Sequence, residues 1–357
     1  MGKKVMVAMS GGVDSSAAAL LLLQEGYTVS GLTMQIWSAA EGAGGNLAAV
    51  DDARQVAALL GIPHQVVDLR RDFRRQVVDY FCAEYLAGRT PNPCITCNRI
   101  LKFGALLELA LVQGCDYIAT GHYARIEPDP ATGEMELLTA CDPGKDQSYA
   151  LYRLNQYQLQ HTLFPLGIYS KAEVRQIADQ ASLPVSTKSD SQDLCFMTDR
   201  HLGEFVVRYL SLVPQPGPFR DTQGIVVGTH RGIYHYTIGQ RKGLGLPLGY
   251  PAYVTGIDPQ TNTVWVGTNQ ELFQICLYAR DASWTSDSPL PGLAGLAVKV
   301  RYSASPVAAQ VTPLENNCFR VDFQQPQRAI TPGQAAVIYD GPKVVGGGII
   351  TDPGQTC

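Results

Sequence analysis

The chain has 357 residues and a formal net charge of −4 at neutral pH. This length exceeds the ~250–300 residues at which single cores usually stop growing, so we expect two or three domains. The acidic balance excludes a general polyanion-binding surface and leaves any nucleic-acid contact to local basic patches. We find neither a basic-then-apolar leader nor an apolar run near the ~20 residues of a membrane span, and we therefore expect a cytoplasmic protein without membrane contact.

The first part of the chain alternates short apolar runs with amphipathic ones, which predicts βαβ units and a parallel sheet. The predicted elements are a strand at Lys4–Met9, a helix from Ser15, a strand at Thr28–Ile36, a helix at Asp51–Leu60, a strand at His64–Leu69, a helix at Arg70–Leu86, an irregular stretch at Gly88–Asn98, a helix at Arg99–Val112 and a strand at Asp116–Thr120. Ligands of such sheets lie beyond the carboxyl ends of the strands. The loops after the first and last of these strands should therefore open onto one crevice.

The pattern of predicted elements changes twice after Ala124. A hairpin turning at Asp129–Gly133 and helices at Lys145–Leu154 and Lys171–Gln180 are predicted as additions to the sheet domain. Many Gly and Pro residues among short β-rich runs then indicate a small mixed domain, and recurring short strands from Cys276 indicate a β-barrel. We therefore predict an α/β fold divided into residues 1–197, 198–275 and 276–357.

A glycine loop follows the first strand in the sequence "VMVAMSGGVDSS". Gly11 and Gly12 permit close approach to an anion, and the following helix directs its free N–H groups at the same point. The lysine that holds a β/γ-phosphate in a Walker loop is missing. Asp14 would repel phosphate unless a divalent cation lay between them, so we interpret it as a Mg²⁺ partner. The alternative is an ordinary glycine turn with Ser15 as an N-cap.

This loop resembles the SGG-x-DS signature of the PP-loop ATP pyrophosphatases. Members of that superfamily split ATP into AMP and pyrophosphate and use AMP to activate an oxygen for replacement. The resemblance implies that the loop binds the pyrophosphate that leaves, which would account for the missing lysine. It does not distinguish the amidating, ligating and thiolating members.

The chain's nine cysteines are an odd number without export signals, which suits a reducing compartment better than a disulfide framework. Cys94 and Cys97 form a C-x-x-C, and Cys97 precedes a predicted helix whose dipole, with Arg99, would favour its thiolate. Cys195 lies in a distant polar loop and is a natural partner for a second thiol. A zinc site lacks a second ligand pair, and a thioredoxin-like motif would follow a first βαβ strand. An iron–sulfur cluster held by three thiolates stays open as an alternative.

Several further motifs occur in a fixed order along nearly the whole chain: "MSGGVDSS", "TPNPCITCNR", "TGHYARI", "KDQSY", "DSQDLCF", "YTIGQRKGLG", "VRYS" and "PGQAAVIYDG". Together they resemble the bacterial tRNA-specific 2-thiouridylases, the MnmA family. The resemblance implies replacement of the C2 oxygen of the wobble uridine of tRNA by sulfur, with ATP and Mg²⁺, a sulfur-relay protein as donor, and a monomeric enzyme.

The resemblance also implies roles for individual residues. Cys195 would carry the persulfide and Cys97 would complete a disulfide as sulfur leaves. Some members have aspartate at the position of Cys94, so we assign Cys94 to base contact or to the cluster. The ATP contacts would be Ala8, Met9, Ser10, Gly11, Gly12, Val13, Asp14, Ser15, Met34 and Gly121. The tRNA contacts would be Asn92, Pro93, Cys94, His122, Lys145, Asp146, Gln147, Arg301, Tyr302 and Gln334.

Two other functions stay open at this point. Another PP-loop enzyme that amidates or ligates a small metabolite would share the loop without needing the cysteine pair. A tRNA-binding protein that keeps the fold without catalysis would bind tRNA without forming AMP.

Overall fold

A computed structural model describes residues 2–37, 47–189, 194–197, 202–286 and 295–352 of the chain. The predicted boundary between residues 197 and 198 and the last five residues of the predicted barrel domain lie outside these ranges. Among the described residues, no helix combines the length and the apolar character needed to cross a bilayer. The division into three domains stays a proposal.

The N-terminal part contains a five-stranded parallel sheet with helices between its strands. Its elements are β1 (Lys4–Ala8), α1 (Val13–Gln24), β2 (Thr28–Gln35), α2 (Leu47–Leu60), β3 (His64–Asp68), α3 (Arg70–Phe73), a π-helical segment (Arg74–Val78), α4 (Asp79–Leu86), α5 (Pro93–Cys97), a second π-helical segment (Asn98–Ala105), α6 (Leu106–Val112), β4 (Tyr117–Thr120), β5 (Arg125–Pro128), β6 (Met135–Leu138), a 3₁₀ turn (Ser148–Leu151), α7 (Gln156–Gln160), β7 (Thr162–Leu163) and α8 (Lys171–Gln180).

The strand order β3-β2-β1-β4-β7 places the reversal of strand order between β1 and β4. β1 pairs with β2 on one side and with β4 on the other, where Val5 lies opposite Tyr117. Because β1 is covered on both faces, its sequence is a continuous apolar run rather than an alternating one. Ligands of open parallel sheets bind where the strand order reverses, so the predicted crevice lies beyond the ends of β1 and β4.

Three local predictions were wrong. The helix predicted to begin at Arg99 begins at Pro93, because Asn92 accepts a hydrogen bond from the Cys94 amide at 3.0 Å and caps the helix earlier. The helix predicted at Lys145–Leu154 is a single 3₁₀ turn. The predicted hairpin exists as β5 and β6, but it joins the C-terminal sheet through β6 instead of the parallel sheet.

The central part is a mixed sheet and the C-terminal part is a closed barrel. The central elements are α9 (Leu202–Leu210), β8 (Gly217–Arg220), β9 (Val226–His230), a 3₁₀ turn (Ile233–His235), β10 (Tyr253–Asp258), β11 (Thr263–Gly267) and a 3₁₀ turn (Asn269–Leu272). The barrel strands are β12 (Phe273–Trp284), β13 (Ala297–Lys299), β14 (Val307–Leu314), β15 (Cys318–Arg328), β16 (Ala335–Asp340) and β17 (Lys343–Ile350). Pairing of β12 with both β15 and β17 closes the six strands, which confirms the predicted α/β fold with a C-terminal barrel.

Shared cores connect the three parts. One buried cluster contains Phe103 beside the parallel sheet together with Val337 and Tyr339 of the barrel. Another contains Phe81 and Cys97 of the N-terminal helices together with Phe219 of the central sheet. Since apolar burial is the main stabilising term in folding, these clusters hold in place the elements that carry the site residues.

Candidate active site

The glycine loop lies between the end of β1 and the beginning of α1. Gly11 has a φ of +68°, a conformation that favours glycine, and a Cβ there would overlap the backbone carbonyl of Ala49 at the start of α2. The Ser15 hydroxyl accepts from the Ser10 amide at 3.0 Å and lies 3.2 Å from the Ser10 hydroxyl. The loop is thus a tight turn with two serine hydroxyls at the N-terminus of a helix, which suits an anion.

The loop after β4 packs directly on this turn. A Cβ on Gly121 would lie 2.7 Å from the Ser15 amide nitrogen and from the Asp14 carbonyl carbon, so only glycine fits there. Met9 is buried, and its amide donates to the Leu32 carbonyl on β2, the strand that also carries Met34. The structure therefore brings together the predicted ATP-contacting segments at residues 8–15, Met34 and Gly121, although their roles stay predictions.

A lysine that the sequence analysis missed reaches Asp14. The Lys171 ammonium, on the first residue of α8, donates to Asp14 Oδ1 at 2.7 Å, and the Tyr123 hydroxyl donates to the same oxygen at 2.8 Å. The Lys171 side chain is only 12% exposed. A partly buried cation beside the phosphate turn strengthens the attraction for an anion, because charges interact more strongly away from bulk water.

A second missed lysine contacts the backbone of the turn. The Lys188 ammonium donates to the Gly11 carbonyl at 2.9 Å and pairs with Asp52 Oδ2 of α2 at 2.5 Å. Both lysines are more than 150 residues from the turn in sequence, since Lys171 is 157 positions from Asp14 and Lys188 is 177 from Gly11. No local motif could have revealed them.

The predicted nucleophile Cys97 lies inside a helix instead of before one. α5 continues into the π-helical segment without a break, and Asn98 donates to the Ala150 carbonyl at 3.1 Å. Cys97 is therefore not at the helix N-terminus. The prediction that the helix dipole and Arg99 favour its thiolate was wrong. In a π-helical turn residues five apart share a face, which places Lys102 on the face of Cys97.

Burial dominates the titration of the three thiols. It raises the pKa of Cys97 and Cys94, and raises the pKa of Cys195 to about 12. Cys94 and Cys195 keep contact with solvent, but protein surrounds them closely enough to disfavour the charged thiolate. The Cys195 thiol also interacts with Cys97 and Cys94, which raises its pKa further, whereas the Lys102 ammonium acts in the opposite direction. The sequence-distant cysteines thus meet in one cluster.

An aromatic hub holds Cys195 in this cluster. The neighbouring Phe196 is buried and packs edge-on against Phe73 and Phe81, with ring centroids 5.9 and 5.3 Å apart. Trp37 and Phe205 complete the hub around Phe196 at 6.3 and 5.2 Å. The residue after the predicted persulfide carrier therefore anchors it to α3 and α4, which share a buried cluster with Cys97.

His122 and Lys102 connect the cysteine cluster with the phosphate turn. The Lys102 ammonium lies 3.4 Å from His122 Nε2, and His122 Nδ1 lies 2.6 Å from the Thr120 hydroxyl. Burial, reinforced by Lys102, lowers the pKa of His122 well below its ordinary value, so the ring is neutral at neutral pH. Since Gly121 contacts the turn and His122 follows it, the nucleotide loop and the thiols belong to one continuous site.

The predicted tRNA contacts fall into two groups. Asn92, Pro93 and Cys94 form the start of α5, where the Cys94 thiol interacts with the Tyr302 hydroxyl of the barrel. The hydrogen bond between Gln147 and Tyr302 lowers the pKa of that phenol, although burial raises it overall. Tyr302 therefore links the start of α5 with the segment that carries Gln147.

The second group consists of residues whose side chains mostly make hydrogen bonds within the protein. Asp146 accepts from the Ala140 and Ser148 amides and from the Ser148 hydroxyl. Arg301 donates to the Arg328 carbonyl at 3.0 Å, and Gln334 donates to the Thr90 carbonyl at 2.7 Å. Lys145 lies at the turn before Asp146 and is half-buried. Their part in tRNA contact stays a prediction.

The described cysteines outside the cluster are of two kinds. Cys82, Cys115, Cys141 and Cys276 are free thiols. Cys318 is disulfide-bonded, although the sequence predicts no disulfide framework. Among the residues described, no group of three or more His, Cys, Asp and Glu side chains is arranged to hold a metal ion.

Three family models match the chain: the tRNA methyl transferase HUP domain over residues 3–199, the tRNA methyl transferase PRC-barrel domain over residues 203–268 and the aminomethyltransferase beta-barrel domain over residues 274–350. Fold and site thus define a HUP-domain protein that carries two further β-rich parts.

The chain is 51% identical to the tRNA-specific 2-thiouridylase MnmA of Moorella thermoacetica over 356 residues, covering 98% of this chain and 100% of that relative. It is 50% identical to the protein of the same name from Heliobacterium modesticaldum, covering 98% and 93% of the two chains. The chain therefore belongs to the MnmA family of tRNA-specific 2-thiouridylases. A solved structure of the U34-tRNA thiolase NcsA from Methanococcus maripaludis, with its [4Fe-4S] cluster, is 22% identical, with a TM-score of 0.34, and the match covers 54% of this chain and 61% of that one.

Proposed function

We propose that the protein is a tRNA-uridine 2-sulfurtransferase that replaces the C2 oxygen of the wobble uridine with sulfur at the expense of ATP. The observation that carries this proposal is the continuity of the site from the phosphate turn through Gly121, His122 and Lys102 to the cysteine cluster. Activation of the C2 oxygen and delivery of sulfur to C2 have to occur at neighbouring atoms. The phosphate turn would serve the first step and the adjoining cysteine cluster the second. The family relationship supports the same reaction.

The turn has the donors that ATP requires. ATP, when bound, supplies the AMP that makes the C2 oxygen a good leaving group. The Ser10 and Ser15 hydroxyls and the helix N-terminus would hold its phosphates, and Asp14 would take part in Mg²⁺ binding, since Mg²⁺ in such sites uses one or two carboxylates together with phosphate oxygens.

The two cysteines would divide the sulfur chemistry. The terminal sulfur of a persulfide on Cys195 attacks C2 and forms a carbon–sulfur bond as the activated oxygen leaves. The Cys97 thiolate then attacks Cys195 Sγ, so that a Cys97–Cys195 disulfide forms and the sulfur–sulfur bond to the base breaks with its electron pair on the thiocarbonyl sulfur. A dithiol reductant has to restore both thiols before the next turnover.

Access from outside fits delivery of sulfur by another protein. Cys195 is exposed to solvent, whereas Cys97 is buried. We propose that a sulfur-relay protein transfers its persulfide sulfur to Cys195, that the enzyme acts as a cytoplasmic monomer, and that the target uridine leaves its stack to reach Cys94 and Tyr302.

The iron–sulfur alternative fits the residues less well. Cys94, Cys97 and Cys195 are all among the described residues and do not form a metal-binding group there. We derive no step through a cluster. Iron and acid-labile sulfide in an active, anaerobically purified preparation would restore that alternative.

Nucleoside mass spectrometry tests the proposed reaction. An unmodified tRNA is incubated with Mg-ATP, a persulfide donor and either the wild type, Cys195→Ser or Cys141→Ser, the last removing an exposed thiol elsewhere. We expect 2-thiouridine with the wild type and Cys141→Ser but none with Cys195→Ser. AMP formation that is independent of tRNA would favour a small-metabolite enzyme, and tRNA binding without AMP formation would favour a non-catalytic protein.

A further inference from the structure

The phosphate turn contains no lysine, yet two lysine ammonium groups lie on it from distant parts of the chain. Lys171 approaches from α8 and binds Asp14, and Lys188 binds the Gly11 carbonyl. The first is nearly enclosed and the second is 43% exposed. They therefore reach the turn at two different points, the Asp14 carboxylate and the Gly11 carbonyl.

A bound polyphosphate would compete with the present partners of the two lysines for their ammonium groups. Pyrophosphate carries several negative charges, and an ammonium is bound more strongly by phosphate oxygens than by a backbone carbonyl. Lys171 shares Asp14 Oδ1 with the Tyr123 hydroxyl, so Asp14 keeps a hydrogen-bond donor when the ammonium turns away. Lys188 keeps Asp52 within reach while it exchanges the Gly11 carbonyl for a phosphate oxygen.

We propose that Lys171 and Lys188 bind the β- and γ-phosphates of ATP and so replace the missing loop lysine. The inference rests on the proposed use of ATP. Both ammonium groups would stabilise the negative charge that develops on the bridging oxygen when the bond between it and the α-phosphorus breaks. The movement of Lys171 would also release Asp14 Oδ1 for Mg²⁺.

The test is the difference between ATP and AMP binding, because AMP lacks the two phosphates in question. Calorimetric titration of the full chain with Mg-ATP and with AMP is carried out for the wild type, Lys171→Met and Lys188→Met. We expect ATP affinity to fall about tenfold or more in each variant while AMP affinity changes less than about twofold. Lys171→Arg keeps the charge and should retain most of the ATP affinity.

Lys343→Met is the matched control. Lys343 on β17 also pairs with a carboxylate, that of Glu136 on β6 at 2.6 Å, but this pair lies in the C-terminal sheet and not at the phosphate turn. It should bind both nucleotides as the wild type does. Equal losses of ATP and AMP affinity, or no loss of either, would overturn the inference. If Lys171→Met fails to fold, the more exposed Lys188→Met decides the question.

Binding of nucleotide needs neither tRNA nor sulfur, so this experiment separates the two proposals. A wild type that binds Mg-ATP while both lysine variants bind it equally well contradicts only the lysine inference. A wild type that binds no Mg-ATP contradicts the proposed function as well.

Discussion

The phosphate turn and the cysteine cluster are joined through His122 and Lys102, but they keep their reactive groups in different ways. At the turn, charged side chains are already paired: Lys171 with Asp14 and Lys188 with Asp52. In the cluster, burial keeps the thiols protonated, whereas the Lys102 ammonium acts to lower the pKa of all three. The turn is prepared for a ligand that brings charge, whereas the cluster has to create charge during the reaction.

The largest expected effect comes from removing the second thiol of the cluster. Cys97→Ser cannot attack Cys195 Sγ, so the sulfur–sulfur bond to the base cannot break. Without external thiol we expect release of 2-thiouridine to fall at least ~1000-fold, as for loss of a catalytic nucleophile. A covalent protein–tRNA adduct that dithiothreitol reverses should accumulate, seen as a shifted band on a denaturing gel.

An uncharged serine cannot substitute for the thiol, whereas Cys94 is not required by the persulfide route. Cys94→Ser is therefore the control and should release product without adduct. Normal product release by Cys97→Ser would contradict the division of roles between the two cysteines.

The next effect concerns the backbone of the turn. Gly11→Ala should weaken Mg-ATP binding about tenfold or more, because a left-handed φ costs ~1–2 kcal/mol for an alanine and its Cβ overlaps Ala49. Gly26→Ala is the matched control, since its φ of +86° is also left-handed but nothing lies within 4 Å of the added Cβ. If the two variants bind ATP equally, the close contact with α2 is not what shapes the turn.

The pH dependence of thiol reactivity tests the other side of the comparison. Only the thiolate reacts with iodoacetamide, so below a pKa of about 12 the alkylation of Cys195 should accelerate about tenfold per pH unit between pH 7 and 10. Lys102→Met removes the ammonium that favours the thiolate, which raises the pKa and should slow alkylation several-fold at each pH. Peptide mass spectrometry measures both rates.

Cys141, an exposed thiol away from the cluster, serves as the internal reference, and its alkylation should not respond to Lys102→Met. A plateau in the Cys195 profile below pH 9 would show that burial does not control this thiol. An unchanged rate in Lys102→Met would show that the ammonium does not act on it.

The smallest effect is expected at the contact between the end of α4 and the C-terminal part. Arg89 binds Glu84 through two hydrogen bonds of 2.8 and 2.9 Å and also pairs with Asp352 at 3.3 Å. Glu84→Gln leaves the guanidinium without its main partner and should lower the free energy of unfolding by about 1–2 kcal/mol. Urea denaturation measures this, and ATP binding should not change.

The pair of Arg320 and Asp322 gives the control, because its side chains are 43% and 38% exposed, compared with 25% and 9% for Arg89 and Glu84. Asp322→Asn should leave the denaturation midpoint unchanged. A similar loss in both variants would mean that the Arg89 contact has no special role.

The two parts of the site were not equally predictable. The turn is local, so the alternation of apolar runs and the glycines at 11 and 12 indicated its strand, its helix and its place at the sheet edge. The ammonium groups of Lys171 and Lys188 could not be predicted, since tertiary packing alone brings them to the turn. The same holds for Lys102, whose position on the face of Cys97 depends on a π-helical segment that no periodicity analysis anticipated.

The start of α5 shows the reverse case, in which the local sequence does indicate where the helix begins. Asn92 followed by Pro93 is a typical N-cap and first helical residue. Read in that way, the pair would have placed Cys97 inside the helix, and only its burial beneath the aromatic hub would have remained for the structure to show.

The hairpin of β5 and β6 bears on how the chain folds during synthesis. β6 pairs with the first residue of β17, where Leu138 lies opposite Lys343. A ribosome has to add about 200 residues after the hairpin before that partner emerges, and at 5–20 residues per second this takes roughly 10–40 seconds. During this interval the nascent N-terminal part exposes an unpaired strand edge, which invites association with other chains. A messenger truncated before the codon of Lys343 would therefore yield a product prone to aggregation, even though its parallel sheet is complete.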